Sequence, residues 1–138
     1  MSDTEKVTLV KNAIHDPNDA RHFMRVKSVD KTVTATIDGK EIAKSNKVLK
    51  VQEVGFDLYD PVYYFPKDDV QMDALHRTEK STHCPLKGDT EYFDVNFSGT
   101  QLENVAWHYS QPLDRSKMLK EHIAFDQSQV QIIEHTDV

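Results

Sequence analysis

Apolar and polar residues alternate along much of this chain with the period of two that is typical of β-strands. The clearest case is residues 33–43, where two alternating runs flank Asp38-Gly39. Asp-Gly favours the two positive φ angles of a type I′ turn, whose twist matches that of antiparallel strands. The pattern therefore predicts a β-hairpin over these residues.

Further strands are predicted on both sides of this hairpin, and a turn at residues 16–19 precedes them. In one of these strands Leu49, Val51 and Glu53 share a face, so a carboxylate ends an otherwise apolar row. In another, the same alternation places Val105, Trp107 and Tyr109 on a common face. The predicted strands, besides the hairpin, are residues 23–29, 48–53, 61–65, 91–97, 101–109, 122–125 and 130–133.

Two segments depart from strand periodicity and predict short helices, at residues 66–75 and 112–121. Proline at the first turn and acidic residues near the N-terminus favour a helix start at Pro66. The fold class is therefore mainly β, a single antiparallel β domain with two short helices. We assign residues 1–21 to a polar N-terminal extension, 22–133 to the β domain and 134–138 to a C-terminal tail.

Composition narrows the class of protein without naming an activity. The 138 residues include a single cysteine, Cys84, and four glycines. One cysteine forms no internal disulfide, and no apolar stretch suits a signal peptide or a membrane span, so a cytoplasmic location is predicted. None of the glycines has the spacing of a dinucleotide-binding or phosphate-binding loop.

Charge makes two classes of partner unfavourable. Lys and Arg number 17 against 23 Asp and Glu, for a net charge of −6. Like charges repel, so we expect neither nucleic acid nor an anionic membrane as a partner. The sequence leaves the oligomeric state open.

The segment around Cys84 is the first candidate for chemistry. His83 and Lys87 lie close to the thiol in sequence, and a nearby cation lowers the pKa of a thiol and favours the reactive thiolate. The alternative is that Cys84 is a small buried apolar residue. Because there is no second cysteine and no paired-ligand spacing, no metal site and no cofactor are predicted.

Two carboxylates and a lysine form the second candidate. Glu53 ends an apolar strand face, so its carboxylate needs a cationic partner or has a raised pKa, and Lys87 is the predicted partner. Asp69 either fixes a turn, contacts a ligand or holds a magnesium ion.

Aromatic residues with polar ends form the third candidate. Tyr64, Trp107 and Tyr109 could line a pocket for a small planar ligand, or else belong to the core of a small β fold. The two tyrosines fit a pocket better, because a buried hydroxyl group needs a hydrogen-bond partner.

Several short motifs, taken in order, resemble those of a known family. They are Tyr-Phe-Pro at 64–66 with Asp-Val at 69–70, Cys-Pro-Leu-Lys-Gly at 84–88, Trp-His-Tyr at 107–109 and Ala-Phe at 124–125. Together they resemble a widespread, mainly bacterial family of small domains of unknown function, sometimes labelled nucleotidyltransferase-like. The resemblance covers about residues 23–130 and implies a fold similar to the β-tent of methionine sulfoxide reductase B. It implies no established set of catalytic residues.

These observations lead to two hypotheses about function. In the first, the protein binds a small anionic or planar metabolite in a polar-aromatic pocket formed by Glu53, Tyr64, Lys87 and Tyr109, with His83, Trp107 and Asp69 as further candidates. In the second, it is a transferase or hydrolase that uses Cys84 as nucleophile, or a metal on Asp69. The first predicts loss of packing when Cys84 is replaced, and the second predicts loss of turnover.

Overall fold

The computed structural model describes residues 13–136, except for the side chain of Ala20. Within this range the chain forms antiparallel β-sheets, which confirms the predicted fold class. The likeness to the β-tent stays a prediction. The strands are β1 (Ile14–Asp16), β2 (Asp19–Ser28), β3 (Thr32–Ile37), β4 (Lys40–Ser45), β5 (Leu49–Val54), β6 (Val62–Pro66), β7 (Leu75–Arg77), β8 (His83–Cys84), β9 (Gly88–Asp89), β10 (Glu91–Phe97), β11 (Thr100–His108), β12 (His122–Phe125) and β13 (Gln131–His135).

Three sheets account for all of these strands. The main sheet has the order β1-β2-β5-β6-β12-β11-β10-β7, a second sheet has the order β13-β3-β4, and β8 pairs with β9. Strand pairing extends past both ends of the predicted β domain, since β1 begins at Ile14 and β13 ends at His135. The first twelve residues of the predicted N-terminal extension lie outside the described residues.

The predicted hairpin is confirmed as β3–β4. Asp38 and Gly39 have φ angles of 51° and 78°, which are the left-handed conformations that a type I′ turn requires. The left-handed conformation at position 39 costs little free energy because glycine has no Cβ.

The two predicted helices are only 3-10 turns. They lie at Lys67–Asp69, Met72–Ala74 and Asp114–Leu119. Leu75 already pairs with Val95 as the start of β7, and Ser116 interrupts the last turn with non-helical angles. Neither segment therefore has room for an α-helix. No helix in residues 13–136 is long and apolar enough to cross a membrane.

The main sheet is covered on both faces. One face packs against the three-stranded sheet and forms the larger core, which includes Phe65, Ile123 and Phe125. The opposite face carries the smaller core, formed by Met24, Val51, Tyr64, Leu86, Tyr109, Leu119 and Ala124. Adjacent residues of one strand alternate between the two cores, as the pleat requires.

The prediction that Val105 shares a face with Trp107 and Tyr109 is wrong. Trp107 and Tyr109 pack with the smaller core, but Val105 packs in the larger one. The register of β10 and β11 shifts between Phe93 and Val95, and Asn104 adopts a left-handed φ of 50°. Such a bulge breaks the period of two, so Val105 turns to the other face.

Candidate functional site

Glu53 reaches the edge of the smaller core because of strand register. In the β2–β5 pair it lies opposite Met24, and Val26 lies opposite Val51. The four side chains share one face of the sheet. Glu53 is the last of its row, so its carboxylate lies where the smaller core meets the surface, and its side chain is only 16% exposed.

Lys87 is positioned by the tight turn between β8 and β9. The buried Leu86 anchors this turn in the smaller core, and its carbonyl accepts a hydrogen bond of 2.5 Å from the Ser116 hydroxyl group. The carbonyl of Lys87 accepts another, of 2.9 Å, from the backbone N–H of Leu113. These contacts hold the Lys87 side chain inward, where it is 8% exposed.

The two side chains form the predicted ion pair. Lys87 Nζ donates to Glu53 Oε1 at 2.5 Å, and His22 Nε2 lies 2.8 Å from Glu53 Oε2. Because an ionised carboxylate only accepts, His22 carries the proton on Nε2. His22 Nδ1 lies 3.7 Å from Asp16 Oδ2, so the polar groups form a row from Asp16 to Lys87.

Burial and charge act in opposite directions on this pair. Burial alone would raise the pKa of Glu53, but the Lys87 ammonium and the bond from His22 outweigh it and lower that pKa. Burial would also lower the pKa of Lys87, but electrostatic attraction to the side chains of Tyr64, Glu53 and Cys84 outweighs it and raises that pKa. Both groups therefore stay ionised at neutral pH.

The direction of the Glu53 shift predicts a dependence of stability on pH. A carboxyl group with a lowered pKa in the folded state stabilises the fold above its ordinary pKa of 4.5. That contribution disappears as pH falls through the lowered value. We therefore expect Glu53→Gln to be less stable than the wild type at pH 7, with a gap that narrows below about pH 4.5. Urea unfolding at pH 7, 4.5 and 3 measures this gap, and a gap that stays constant over this range would contradict the assignment.

The ion pair borders an open pocket with a volume of about 770 Å³. Glu53, Lys87, Cys84, His22 and Tyr109 are among the side chains that line it. Its outer part carries two aromatic rings from the loop after β5: Phe56, which is fully exposed, and Tyr59, which is 45% exposed. Within this loop the Tyr59 ring packs closely on the backbone of Gly55, since a Cβ added to Gly55 would lie 3.1 Å from the ring.

Cys84 and His83 also line this pocket, but their environments differ. Cys84 is half-buried, and its sulfur accepts from Lys87 Nζ at 3.7 Å. His83 is exposed, and its Nδ1 lies 2.7 Å from Asp89 Oδ1. The imidazole is therefore paired with a carboxylate of its own turn rather than with the thiol.

Tyr64 and Trp107 lie behind the pocket wall. The Trp107 indole Nε1 donates to the Tyr64 hydroxyl group at 3.4 Å, and the rings of Tyr64 and Tyr109 are 6.4 Å apart. Burial raises the pKa of both tyrosines. Tyr109 is the member of this group that reaches the pocket.

Asp69 lies away from this group. It ends the 3-10 turn after β6, and its Oδ2 accepts a hydrogen bond of 2.6 Å from the Ser45 hydroxyl group. That contact ties the turn to the end of β4, as expected of an acid that fixes a turn. Within residues 13–136 no group of three or more His, Cys, Asp or Glu side chains is arranged to hold a metal ion.

His22 is the site residue that the sequence analysis missed. It precedes the strand predicted from residue 23, but β2 begins at Asp19. His22, Met24 and Val26 lie on one face of β2 at every second position. Extending this period of two by one step toward the N-terminus would have placed His22 beside the end of β5.

Comparison with known proteins is consistent with the resemblance seen in the motifs. A family model described as a domain of unknown function (DUF427) and labelled NTP_transf_9 matches residues 25–136. The match covers well over half of the chain, so the chain belongs to this family and the predicted resemblance is confirmed. No curated protein matches the chain.

Proposed function

We propose that this member of the DUF427 family binds a small planar metabolite in the pocket beside Glu53 and Lys87, and that it acts in the cytoplasm, where Cys84 stays reduced. The observation that carries the proposal is the nearly buried ion pair in the wall of an open pocket. Such a pair is costly to desolvate and contributes little net stability compared with apolar residues. A few polar groups converging on a partly apolar pocket are typical of ligand recognition.

The charges around the pocket favour a planar ligand over an anionic one. Its lining includes three carboxylates, Asp16, Asp19 and Glu53, against the cations Arg21 and Lys87. Arg21 is paired with Asp19 at 3.3 Å, as Lys87 is with Glu53. An additional negative charge would have to compete with Glu53 for Lys87 and with Asp19 for the exposed Arg21. The exposed rings of Phe56 and Tyr59, in contrast, offer faces on which a planar group can stack.

Binding also has more support than catalysis. Lys87 contacts the Cys84 sulfur at 3.7 Å, but the His83 imidazole beside it in sequence is paired with Asp89 rather than with the thiol. Asp69 has its hydroxyl partner outside the pocket. These polar groups suit the recognition of a ligand. The histidine next to Cys84 is not available to it as a general base, and Asp69 belongs to no group of three or more potential metal ligands within residues 13–136.

A thermal-shift screen against planar metabolites tests this proposal. A ligand at one hundred times its Kd should stabilise the wild type by about 2.7 kcal/mol. The double variant Glu53→Gln/Lys87→Met, which removes both charges and keeps the volumes, should lose this stabilisation. Asp69→Asn is the matched control outside the pocket and should retain it.

Two outcomes would contradict the proposal. One is a compound that stabilises the double variant as strongly as the wild type, because the ion pair would then have no part in binding. The other is a screen in which no planar compound raises the melting temperature of the wild type.

A further inference from the structure

We propose that the loop at residues 56–60 is a docking surface for a basic segment of another protein, in which arginine or lysine side chains alternate with apolar ones. The loop lies between β5 and β6, reads Phe-Asp-Leu-Tyr-Asp, and has all five residues exposed. This inference goes beyond the proposed metabolite site, because it concerns a macromolecular partner and the outer surface of the loop.

Three large apolar side chains of this loop are exposed next to one another. Phe56 is fully exposed, Leu58 is 75% exposed and Tyr59 is about half exposed. Single exposed apolar residues are common on protein surfaces, whereas contiguous ones mark interaction sites. A metabolite in the pocket would contact Phe56 and Tyr59, which line it. Leu58 extends the apolar surface beyond the pocket, so a larger partner is needed to cover it.

Backbone hydrogen bonds hold this loop in an ordered turn. The N–H of Tyr59 donates to the carbonyl of Glu53 at 3.1 Å, and the N–H of Gly55 donates to the carbonyl of Asp57 at 2.9 Å. A partner that binds an ordered turn loses less conformational entropy than one that must first fix the loop. The exposed apolar side chains are therefore presented in a conformation that is ready to bind.

Two exposed carboxylates set the charge of the partner. Asp57 and Asp60 alternate with the apolar residues, and neither forms an ion pair with any part of residues 13–136. Arg21, an exposed cation that lines the adjacent pocket, is paired with Asp19. Cationic side chains of a partner would give both carboxylates an ion pair, and a planar guanidinium could also stack on an exposed ring.

The same two carboxylates disfavour other occupants of this surface. In a symmetric contact with a second copy of the chain, Asp57 and Asp60 of both copies would be brought together and would repel one another. Nucleic acids and anionic lipids carry phosphates, which the carboxylates and the net charge of −6 also repel. A basic protein segment is the occupant that both the apolar residues and the charges of the loop favour.

Three capped hexapeptides test the inference, because they separate charge from apolar contact. The first repeats Arg-Leu three times, the second has Glu in place of Arg, and the third has Ser in place of Leu. In a titration of ¹⁵N-labelled protein, the Arg-Leu peptide should shift the backbone amide signals of residues 55–60 saturably. We expect the Glu-Leu and Arg-Ser peptides to bind at least about fivefold more weakly. Raising the salt concentration from about 0.05 M to about 0.5 M should weaken binding of the Arg-Leu peptide.

Variants test the individual contributions of the loop. Asp57→Asn/Asp60→Asn should weaken binding of the Arg-Leu peptide by about fivefold through the loss of two ion pairs. Leu58→Ser should weaken it by a similar factor through the loss of apolar contact. Asp73→Asn/Glu103→Gln is the matched control, since it removes two exposed carboxylates outside the loop, and it should bind as the wild type does. The amide signals outside the loop verify that each variant folds.

Four results would overturn the inference. They are the absence of a saturable shift at residues 55–60, equal affinity for the Arg-Leu and Glu-Leu peptides, full affinity in Asp57→Asn/Asp60→Asn, and equal weakening in the matched control. Two further results would assign the loop to another occupant and so contradict a basic partner. One is broadening of the same signals with protein concentration, which indicates a second copy, and the other is their displacement by phosphatidylglycerol vesicles.

The variant Glu53→Gln/Lys87→Met separates this inference from the proposed function. It removes the ion pair of the metabolite site and leaves the 56–60 loop unchanged in sequence. We expect it to lose stabilisation by the metabolite and to retain binding of the Arg-Leu peptide. Loss of peptide binding in this variant would contradict a docking surface on the loop, whatever the outcome of the metabolite screen.

Discussion

Replacement of Lys87 by methionine is expected to destabilise the fold by about 3 kcal/mol. Methionine fills a similar volume but leaves the Glu53 carboxylate, whose side chain is 16% exposed, without its ammonium partner. An uncompensated buried charge costs far more than the net gain of the pair itself. Urea unfolding at pH 7 measures the change in the free energy of unfolding.

The double variant Glu53→Gln/Lys87→Met is the control for this result. With both charges absent there is no unpaired ion to bury, so its stability should return to within about 1 kcal/mol of the wild type. The four proteins form a double-mutant cycle that isolates the coupling between the two side chains. A Lys87→Met variant as stable as the wild type would show that the pair is not buried as the structure has it.

Gly88→Ala should destabilise the fold by about 2 kcal/mol through backbone strain. Gly88 has a φ of 113°, and a Cβ there would lie 3.4 Å from the backbone nitrogen of Leu113. That nitrogen donates to the carbonyl of Lys87, so the substitution acts on the turn that holds Lys87 in place. Urea unfolding gives the loss of stability, and NMR shifts of the backbone amides of residue 84 and residues 86–89 report the displaced turn.

Gly39→Asn is the control for Gly88→Ala. Gly39 also has a positive φ, of 78°, but a Cβ there would meet nothing within 4 Å, and asparagine tolerates this conformation. We expect a cost well under about 1 kcal/mol. Equal costs at both positions would show that the φ of 113° at Gly88 imposes no additional strain on a side chain.

The sequence alone predicts the strands well where local physics is sufficient. Asp38-Gly39 encodes its own turn, and the alternation in β5 identifies the side chains that face inward. The segments at Pro66 and Pro112 show the limit of local rules. Both segments contain helix-favouring residues, but Leu75 pairs as a strand and Ser116 interrupts the last 3-10 turn. Contacts with residues distant in sequence override local helix propensity at these positions.

The candidate site was also predictable in part, namely where a local physical rule applies. A carboxylate ending an apolar face needs a cation, and this argument identified Lys87 as the partner of Glu53, 34 residues away. The alternation along β2 extends to His22, but its contact with Glu53 also depends on the register of β2 against β5, which the sequence does not set locally. The position of Asp69 outside the pocket likewise depends on where its turn meets β4.

By itself, the sequence determined that this chain forms an antiparallel β domain, that Glu53 requires a cationic partner and which family its motifs resemble. Turn chemistry, side-chain alternation and the cost of burying a charge act over a few residues and are readable along the chain. Only the tertiary structure decided which side chains share one cavity. Register shifts such as the one at Asn104, and the packing of Leu86 and Ser116 beneath the Lys87 turn, arise from contacts between distant segments, where many local patterns are compatible with more than one arrangement.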